Sequence, residues 1–398
     1  MLITMSFKTL VDTMGTISSV VSDKLLKEDY KNVIVWVKDG IVRFGAFSGI
    51  VSTATTLDAE VNVKEGEFTA QLKAKDINDI ISTFSSLQRT EVSQVDIEIK
   101  DNEAFMILHE RGLDIEGIAN PEAYNQISRF RITKPPVREV ELQSVKDVYG
   151  NMDLEVQETA QLFVYILPLL PTVAKETREA NYNIMFDNEL VYTIPSQYAA
   201  VMPNRLPDVF KGFRLSNSMV TFLKNFIGGS ETYEFGKVLG NGGLVVLTVK
   251  VGDSIATIKC PDMSRAFDMT NFVTVPENGV IVDKAYLKDV LKRIALGNEA
   301  ARIDIEIANG TAEMRVSTKT MSQSIPVMNS KGEGSFAFEA RADLISAMIF
   351  AHTDLFESPV YLYMTTGARN NIELAVSDET KAWHTKILGL AQARTQAW

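Results

Sequence analysis

A chain of 398 residues is too long for one ordinary core and implies two or three domains. Its 45% hydrophobic and 23% charged content is that of a soluble globular protein, no apolar run approaches a membrane span, and no basic stretch leads into an apolar core as a signal peptide would. The net charge of −11 argues against nonspecific nucleic-acid binding by the surface as a whole, yet leaves room for one basic face on an acidic body; the single cysteine, Cys260, excludes an internal disulfide and a cysteine-built zinc site and fits a reducing cytoplasm.

In chain order, residues 6–24 carry a helical period, with Phe7, Leu10, Met14, Ile17 and Val21 on one face. The strand-like runs VIVWVK and IVRFGAF follow, joined at Asp39-Gly40, and VSTATTLDAEV makes a third. EFTAQLK leads into a second predicted helix, KDINDIISTFSSL, whose apolar face is Ile77, Ile80, Ile81, Phe84 and Leu87. VDIEIK and EAFMILHE flank Asp101-Asn102, with GLDIEGIA as the third strand. RITKPPV, with Pro135-Pro136, reads as a linker. Residues 138–157 follow neither period and read as an insertion or irregular lead-in. Glu158 to Lys175 is apolar enough for a helix interrupted at Pro168 and Pro171.

The pattern then resumes. NYNIMFD and ELVYTIP flank Asp187-Asn188, and SQYAAVMP is the third run. RLSNSMVTFLKNFIGG predicts a helix with Ser216 as N-cap and Gly228-Gly229 as stop. TYEFGKVL and LVVLTVKV flank a glycine-rich turn at 240–243, and DSIATIKC closes the unit. A second linker spans Pro261 to Gly279. In DKAYLKDVLKRIAL, Leu287, Val290, Leu291 and Ile294 form one face and Lys284, Lys288 and Lys292 stack on another. ARIDIEIA and TAEMRVS flank Asn309-Gly310, the strongest kind of short hairpin signal, and KTMSQSIPVM follows. The last unit is GSFAFEA, the helix RADLISAMIFAHTDL, then VYLYMTT, NIELAVS and AWHTKILGL.

Hairpin turns thus recur near residues 40, 102, 188, 242, 310 and 368. Such self-similarity predicts an α+β fold of three similar domains, 1–134, 135–272 and 273–398, each made of two helix-on-antiparallel-sheet units. Edge strands are expected to join between units into longer sheets, with the helices on one side.

This succession resembles the bacterial DNA polymerase sliding clamp, the three-domain β-clamp family, over nearly the whole chain. VIVWVKDGIVRFGAFSGIVSTATTL looks like the first half of that family's first domain, and EGEFTAQLKAKDINDIISTFSS like the entry to its second half. NYNIMFDNELVYTIPSQYAAVMP is similar to its second-domain strands, AFDMTNFVTVP to its second connector, and AWHTKILGL to its C-terminal strand. Two departures stand out: AQARTQAW follows Leu390 where the family has a proline-containing apolar end, and Pro195-Ser196-Gln197-Tyr198 replaces a Gly-His-Arg-Leu-like stretch. They suggest a phage-encoded clamp in a bacterial cytoplasm.

The resemblance implies a non-catalytic, head-to-tail homodimeric ring that encircles duplex DNA without reading its sequence, binds a DNA polymerase and a clamp loader, and needs no cofactor, metal or membrane. DNA-facing groups would be Lys24, Lys75, Arg89, Lys175, Arg178, Tyr182, Lys224, Lys284, Lys288 and Lys292. A partner-peptide pocket would involve Tyr198, Met202, Pro203, Val273, Thr385, Ile387, Leu388 and Leu390. The ring would close where Leu113 to Ile118, including Ile115, pairs with Arg302 to Ile307, including Ile305, of a second copy.

Each site has a plainer explanation: solvated helix lysines, core packing at Ile387 and Leu388, and internal strands at the proposed edges. His109, His352 and His384 lack metal-ligand spacing, and the 240–243 glycines lack the lysine and helix of a phosphate loop. The rival reading is a structural or assembly protein, such as a virion component, built from the same unit; a hydrolase is a weaker one.

Overall fold

The computed structural model of the chain describes residues 1–21, 30–62, 65–85, 92–113, 119–150, 153–158, 184–193, 200–204, 206–240, 242–263, 274–295, 300–350, 359–367, 371–377, 379, 381, 384–390 and 392–393. Contacts divide the chain into two compact units: residues 1–157, 225–240 and 246–259, and residues 158–224, 241–245 and 260–398.

The first half of the chain begins with β1 (Leu2–Ser6) and α1 (Phe7–Val21). Next come β2 (Asn32–Lys38), β3 (Ile41–Phe47), β4 (Val51–Leu57), β5 (Ala59–Val61) and β6 (Glu67–Lys73). α2 (Ala74–Ser85) leads to β7 (Val92–Ile99), β8 (Ala104–Leu113) and β9 (Ala119–Ile132). α3 (Glu139–Lys146), a 3-10 turn at Asp147–Tyr149 and β10 (Glu155–Glu158) complete it. GLDIEGIA, the run expected as the third strand of the second repeat, lies mostly outside the described residues; among the described residues the long β9 pairs with β8.

The second half holds β11 (Ile184–Phe186), β12 (Leu190–Thr193), β13 (Ala200–Pro203), β14 (Phe213–Leu215) and α4 (Asn217–Ile227). β15 (Thr232–Leu239), β16 (Leu244–Val251), β17 (Ser254–Pro261) and β18 (Asn278–Val282) follow. α5 (Lys284–Ala295) precedes β19 (Ala300–Ala308), β20 (Thr311–Ser317), β21 (Ser322–Ile325), β22 (Val327–Lys331) and β23 (Gly334–Arg341). α6 (Ala342–Phe350), β24 (Val360–Thr366), β25 (Ile372–Ser377) and β26 (His384–Leu390) end the described chain.

The turn chemistry works as the sequence implies. Asp39 and Gly40, at φ 51 and 79, and Asn309 and Gly310, at φ 53 and 75, take two successive left-handed conformations, the geometry that tight hairpins require. Ser6 caps α1 by accepting the Thr9 N–H at 3.0 Å, and Ser216 caps α4 by accepting the Met219 N–H at 3.3 Å.

The first unit contains two sheets. One has the order β5-β1-β7-β8-β9; the other runs β10-β15-β16-β17-β4-β3-β2-β6. α1 contacts β1 and β7 of the first and β3 and β4 of the second, so its buried Leu10, Met14 and Ile17 close the space between them. The second sheet joins distant parts of the chain: β17 pairs with β4 from Ser254↔Thr55 to Ile258↔Val51. The Thr53 hydroxyl donates to the Ile255 carbonyl at 3.1 Å, and Thr55 and Ser254 hydroxyls meet at 3.0 Å across this joint.

α3 departs from the expected plan of helices on one side. Ile34, Gly45, Ala54 and Ile255 form one row across β2, β3, β4 and β17. Leu142 and Val145 of α3 and Val148 of the 3-10 turn pack against this row, whereas Val33, Val35 and Phe44, alternate residues on the other face, are also buried. The second sheet is thus covered on both faces, with α3 lying on β2, β3 and β4. Arg43 lies between Trp36 and Tyr149, its guanidinium carbon 4.8 Å and 4.9 Å from the two ring centres. The Gln71 side-chain amide donates to buried Glu141 at 2.8 Å, and Lys146 pairs with Glu67.

The second unit contains a sheet of order β14-β11-β12-β13-β26-β25-β24-β18-β22 and another of order β21-β20-β19-β23. The run predicted as one strand, KTMSQSIPVM, splits at Pro326 between these sheets, because proline lacks the N–H that a continuing ladder needs. One row crosses eight strands of the larger sheet: Met185, Tyr192, Val201, Lys386, Ala375, Tyr363, Gly279 and Lys331. α5 and α6 pack together, α6 also touching β23 and α5 touching β21.

Candidate nucleic-acid and partner surfaces

α5 is fixed by its apolar face. Leu287, Val290 and Leu291 are fully buried and Ile294 nearly so, while Asp283 caps the helix by accepting the Tyr286 N–H at 2.6 Å. Burying three or four aliphatic side chains contributes on the order of 1.5–3 kcal/mol each, which dictates which way the helix faces. Lys292 is then exposed, and Lys284 and Lys288 are half-buried at the edge of the apolar face. Arg293 adds a fourth cation but is paired with Asp289 at 2.8 Å.

Lys75 in α2 and Lys224 in α4 are exposed. Lys224 lies in the last helical turn, where the helix dipole favours a cation. Lys75 and Lys284 are in first turns, where the dipole disfavours one, so intrinsic helix stability does not explain their charge. Lys24, Arg89, Lys175, Arg178 and Tyr182 lie outside the described residues.

The expected ring-closing strands are corrected. β19 is interior: Ile305 faces Met314 on β20 and Phe336 on β23, and it is buried. Arg302 makes a two-pronged contact with Asp304, at 2.8 Å and 2.9 Å, which raises the pKa of its guanidinium further. Both backbone edges of β19 are thus already paired, and no second chain can add to it. Leu113 pairs with Ala119 inside the first sheet, and Ile115 lies outside the described residues.

Strands with one unpaired side lie elsewhere. β9 pairs only with β8, and β21 only with β20, among the described residues. The other end of the fourth sheet is partly covered, since Gln392 bridges to Phe338 and the Ala393 N–H donates to the Ala337 carbonyl at 2.9 Å. β9 carries Arg129, paired with Glu98 at 2.6 Å, and Arg131, paired with Glu103 at 3.2 Å.

Of the expected partner-pocket residues, Ile387 and Leu390 are fully buried, so their side chains belong to the core of the third sheet and are not open to a peptide. Met202, Pro203, Thr385 and Leu388 lie on the adjoining strands β13 and β26, whereas Tyr198 and Val273 lie outside the described residues. β13 and β26 pair at Ala200↔Ile387 and Val201↔Lys386.

One arrangement was not legible from spacing. His109 Nε2 lies 2.9 Å from Asp96, whose other oxygen accepts from the Thr4 hydroxyl at 2.7 Å. In a catalytic triad the hydroxyl meets the imidazole; here it meets the carboxylate, which makes the trio a cross-strand tie between β1, β7 and β8. Cys260 is buried, with its thiol donating toward the Val245 carbonyl at 3.7 Å and its pKa pushed up to about 12 by burial. Among the described residues no three His, Cys, Asp or Glu side chains gather as metal ligands, and no helix is long and apolar enough to cross a membrane.

Solved structures share this fold over its whole length. The DNA polymerase sliding clamp of Caulobacter crescentus superposes with a TM-score of 0.68 at 12% identity, covering 99% of this chain and 100% of the other. The DNA polymerase III beta subunit of Thermotoga maritima gives 0.66 at 14% identity, covering 99% and 100%. The sliding clamp of Bacillus subtilis gives 0.66 at 12% identity, covering 100% of both chains. No protein-family model matches the chain, and no curated protein matches it in sequence. The chain has the sliding-clamp fold, α+β and built mostly of antiparallel sheets with few helices.

Proposed function

We propose that this chain is a DNA sliding clamp, a non-catalytic processivity factor that encircles duplex DNA and tethers a polymerase to it. The observation that carries the reading is end-to-end coverage: 99% of this chain and 100% of the Caulobacter clamp superpose, so neither contains a domain foreign to the other. The three domains fall at 1–134, 135–272 and 273–398, and two chains supply the six domains of a head-to-tail ring.

The basic helix face is its DNA-facing surface. Lys75, Lys224, Lys284, Lys288 and Lys292, with Lys24, Arg89, Lys175, Arg178 and Tyr182, meet phosphates and read no bases. That accounts for a lysine-bearing helix in a chain of net charge −11. The ring closes at the outer edges of β9 and β21, which are among the terminal strands of their sheets and so offer one side for edge-to-edge addition. A polymerase and a clamp loader dock near the β13–β26 joint. The clamp works in a bacterial cytoplasm, that of the host if the chain is phage-encoded.

Topology supplies the test. Labelled protein, loader, ATP and a nicked DNA circle are combined, and retention on the circle is measured before and after linearisation. The clamp reading expects loader-dependent retention that is lost when the circle is cut; retention on linear DNA with free ends overturns it.

A further inference from the structure

The third sheet has a charge where its pattern calls for an apolar side chain. Lys386 sits in the middle of the eight-strand row, between Val201 on β13 and Ala375 on β25, and is only 2% exposed. Burying an ammonium is costly unless it is paired and its protons find acceptors. Lys386 Nζ meets Glu373 at 2.8 Å and donates to the main-chain carbonyl of Thr274 at 3.0 Å.

Thr274 belongs to the connector that enters β18, and that connector is held at two further points. The Lys381 ammonium donates to the Pro276 carbonyl at 2.9 Å and stands 4.3 Å from the centre of the Tyr363 ring. Desolvation lowers the Lys381 pKa, with Lys331 acting in the same sense and Glu277 against it. On the far side, Met263 packs against the cluster of Met185, Tyr192 and Val201, and its N–H donates to the Gly212 carbonyl at 3.2 Å. Segments on both sides of residues 264–273 are therefore fastened to this row, one beside β13 and the other over β26.

We propose that Lys386 is a positioning residue that latches the end of the second connector, at Thr274, onto β26 beside its joint with β13. Among the described residues the joint is in register at Ala200↔Ile387 and Val201↔Lys386, so Lys386 sits at the joint itself. A salt link to the same sheet would require only Glu373; the second bond, to a main-chain carbonyl of the connector, is what ties the segment down. The further consequence, that this latch shapes the face a polymerase or loader would meet, rests on the sliding-clamp reading. The latch does not, because it is read within one chain.

Amide hydrogen exchange on the full-length protein tests it, comparing wild type with Lys386→Met and Glu373→Gln. Losing a hydrogen bond from a charged donor corresponds to roughly tenfold to a hundredfold faster local opening. Lys386→Met is expected to show that acceleration at residues 274–277 and in β26, with β19 and β20 unchanged. Glu373→Gln, which keeps the bond to Thr274, is expected to leave residues 274–277 protected. Unchanged exchange there in Lys386→Met, an equal rise across β19 and β20, or release by Glu373→Gln to the same degree each overturns the latch. Should Lys386→Met fail to fold, Lys381→Met reports on the same connector and is expected to free residues 275–277 alone; full protection there counts against the proposal. Failure of DNA retention with the exchange pattern intact would reject the clamp reading and spare the latch.

Discussion

Val145 of α3 occupies the space that a side chain at Gly45 would need. A Cβ built there would meet the two Val145 methyl groups and lie 2.6 Å from the Thr53 carbonyl oxygen. Gly45 is thus a close-approach glycine, and the contact carries α3 onto the sheet. Gly45→Val is expected to destabilise the protein by about 1–3 kcal/mol through overpacking, read by denaturant unfolding, with α3 amides losing protection first. Unaltered stability would mean that α3 is not seated there.

Reversing charge on the lysine-bearing face of α5 should separate folding from function. Lys288→Glu with Lys292→Glu is expected to keep the wild-type circular dichroism with a small loss in thermal unfolding, because exposed Lys292 contributes little to stability whereas Lys288 is half-buried. Retention on loaded DNA should fall for every sequence alike. Neutralising Lys292 alone should reduce the slope of log affinity against log salt by roughly one. Wild-type retention in the double variant would remove α5 from the DNA-facing surface.

Light scattering at micromolar concentration is expected to give about twice the chain mass of 44.2 kDa. A stable trimer, or a monomer at all concentrations, would contradict closure by two three-domain chains.

Asp343, in the first turn of α6, accepts from Arg341 Nε at 2.9 Å. That hydrogen bond is the main cause of its lowered pKa, followed against it by desolvation. A carboxylate with a folded pKa below its unfolded value contributes stability that is present above the unfolded value and lost as pH falls through the folded one. Asp343→Asn should therefore lower stability at neutral pH and flatten the loss below about pH 4. Because both side chains are about half exposed, the effect is on the order of 1 kcal/mol or less. An unchanged acid limb in equilibrium unfolding would refute the assignment.

Cys260 is expected to resist thiol reagents at pH 8 in the folded state and to react on unfolding, since its pKa is pushed up to about 12. The group is neutral when folded, so it supports the fold fully below its unfolded pKa and loses that contribution as pH rises toward the folded value. Rapid labelling of native protein would show that β17 opens around Cys260.

Much of the fold was legible because the turns announce themselves. Asp39-Gly40 and Asn309-Gly310 demand left-handed backbone, and few other sequences permit it cheaply. The lysine-bearing face of α5 was equally plain, since Leu287, Val290 and Leu291 leave only one orientation. Strand pairing at long range was not. Nothing local distinguishes β19 from an edge strand: Arg302 and Asp304 alternate with isoleucines as on any half-solvated strand, and the charges satisfy each other. α3 was missed because its buried apolar set is only Leu142 and Val145, completed by Val148 in the following turn, while Val140 points to solvent. The signal existed in its target instead. Val-Ile-Val-Trp-Val in β2 is buried on consecutive positions, a pattern that asks for cover on both faces.

The β4–β17 pairing has a consequence for synthesis. Ile258 must meet Val51, so the second sheet stays incomplete until some two hundred further residues have left the ribosome. During that interval β4 presents an open backbone edge, exposed to the partners that unpaired strands recruit. α3, made much sooner, can already shield the Ile34–Gly45–Ala54 face. The nascent chain is thereby protected on its flat side first and at its rim last.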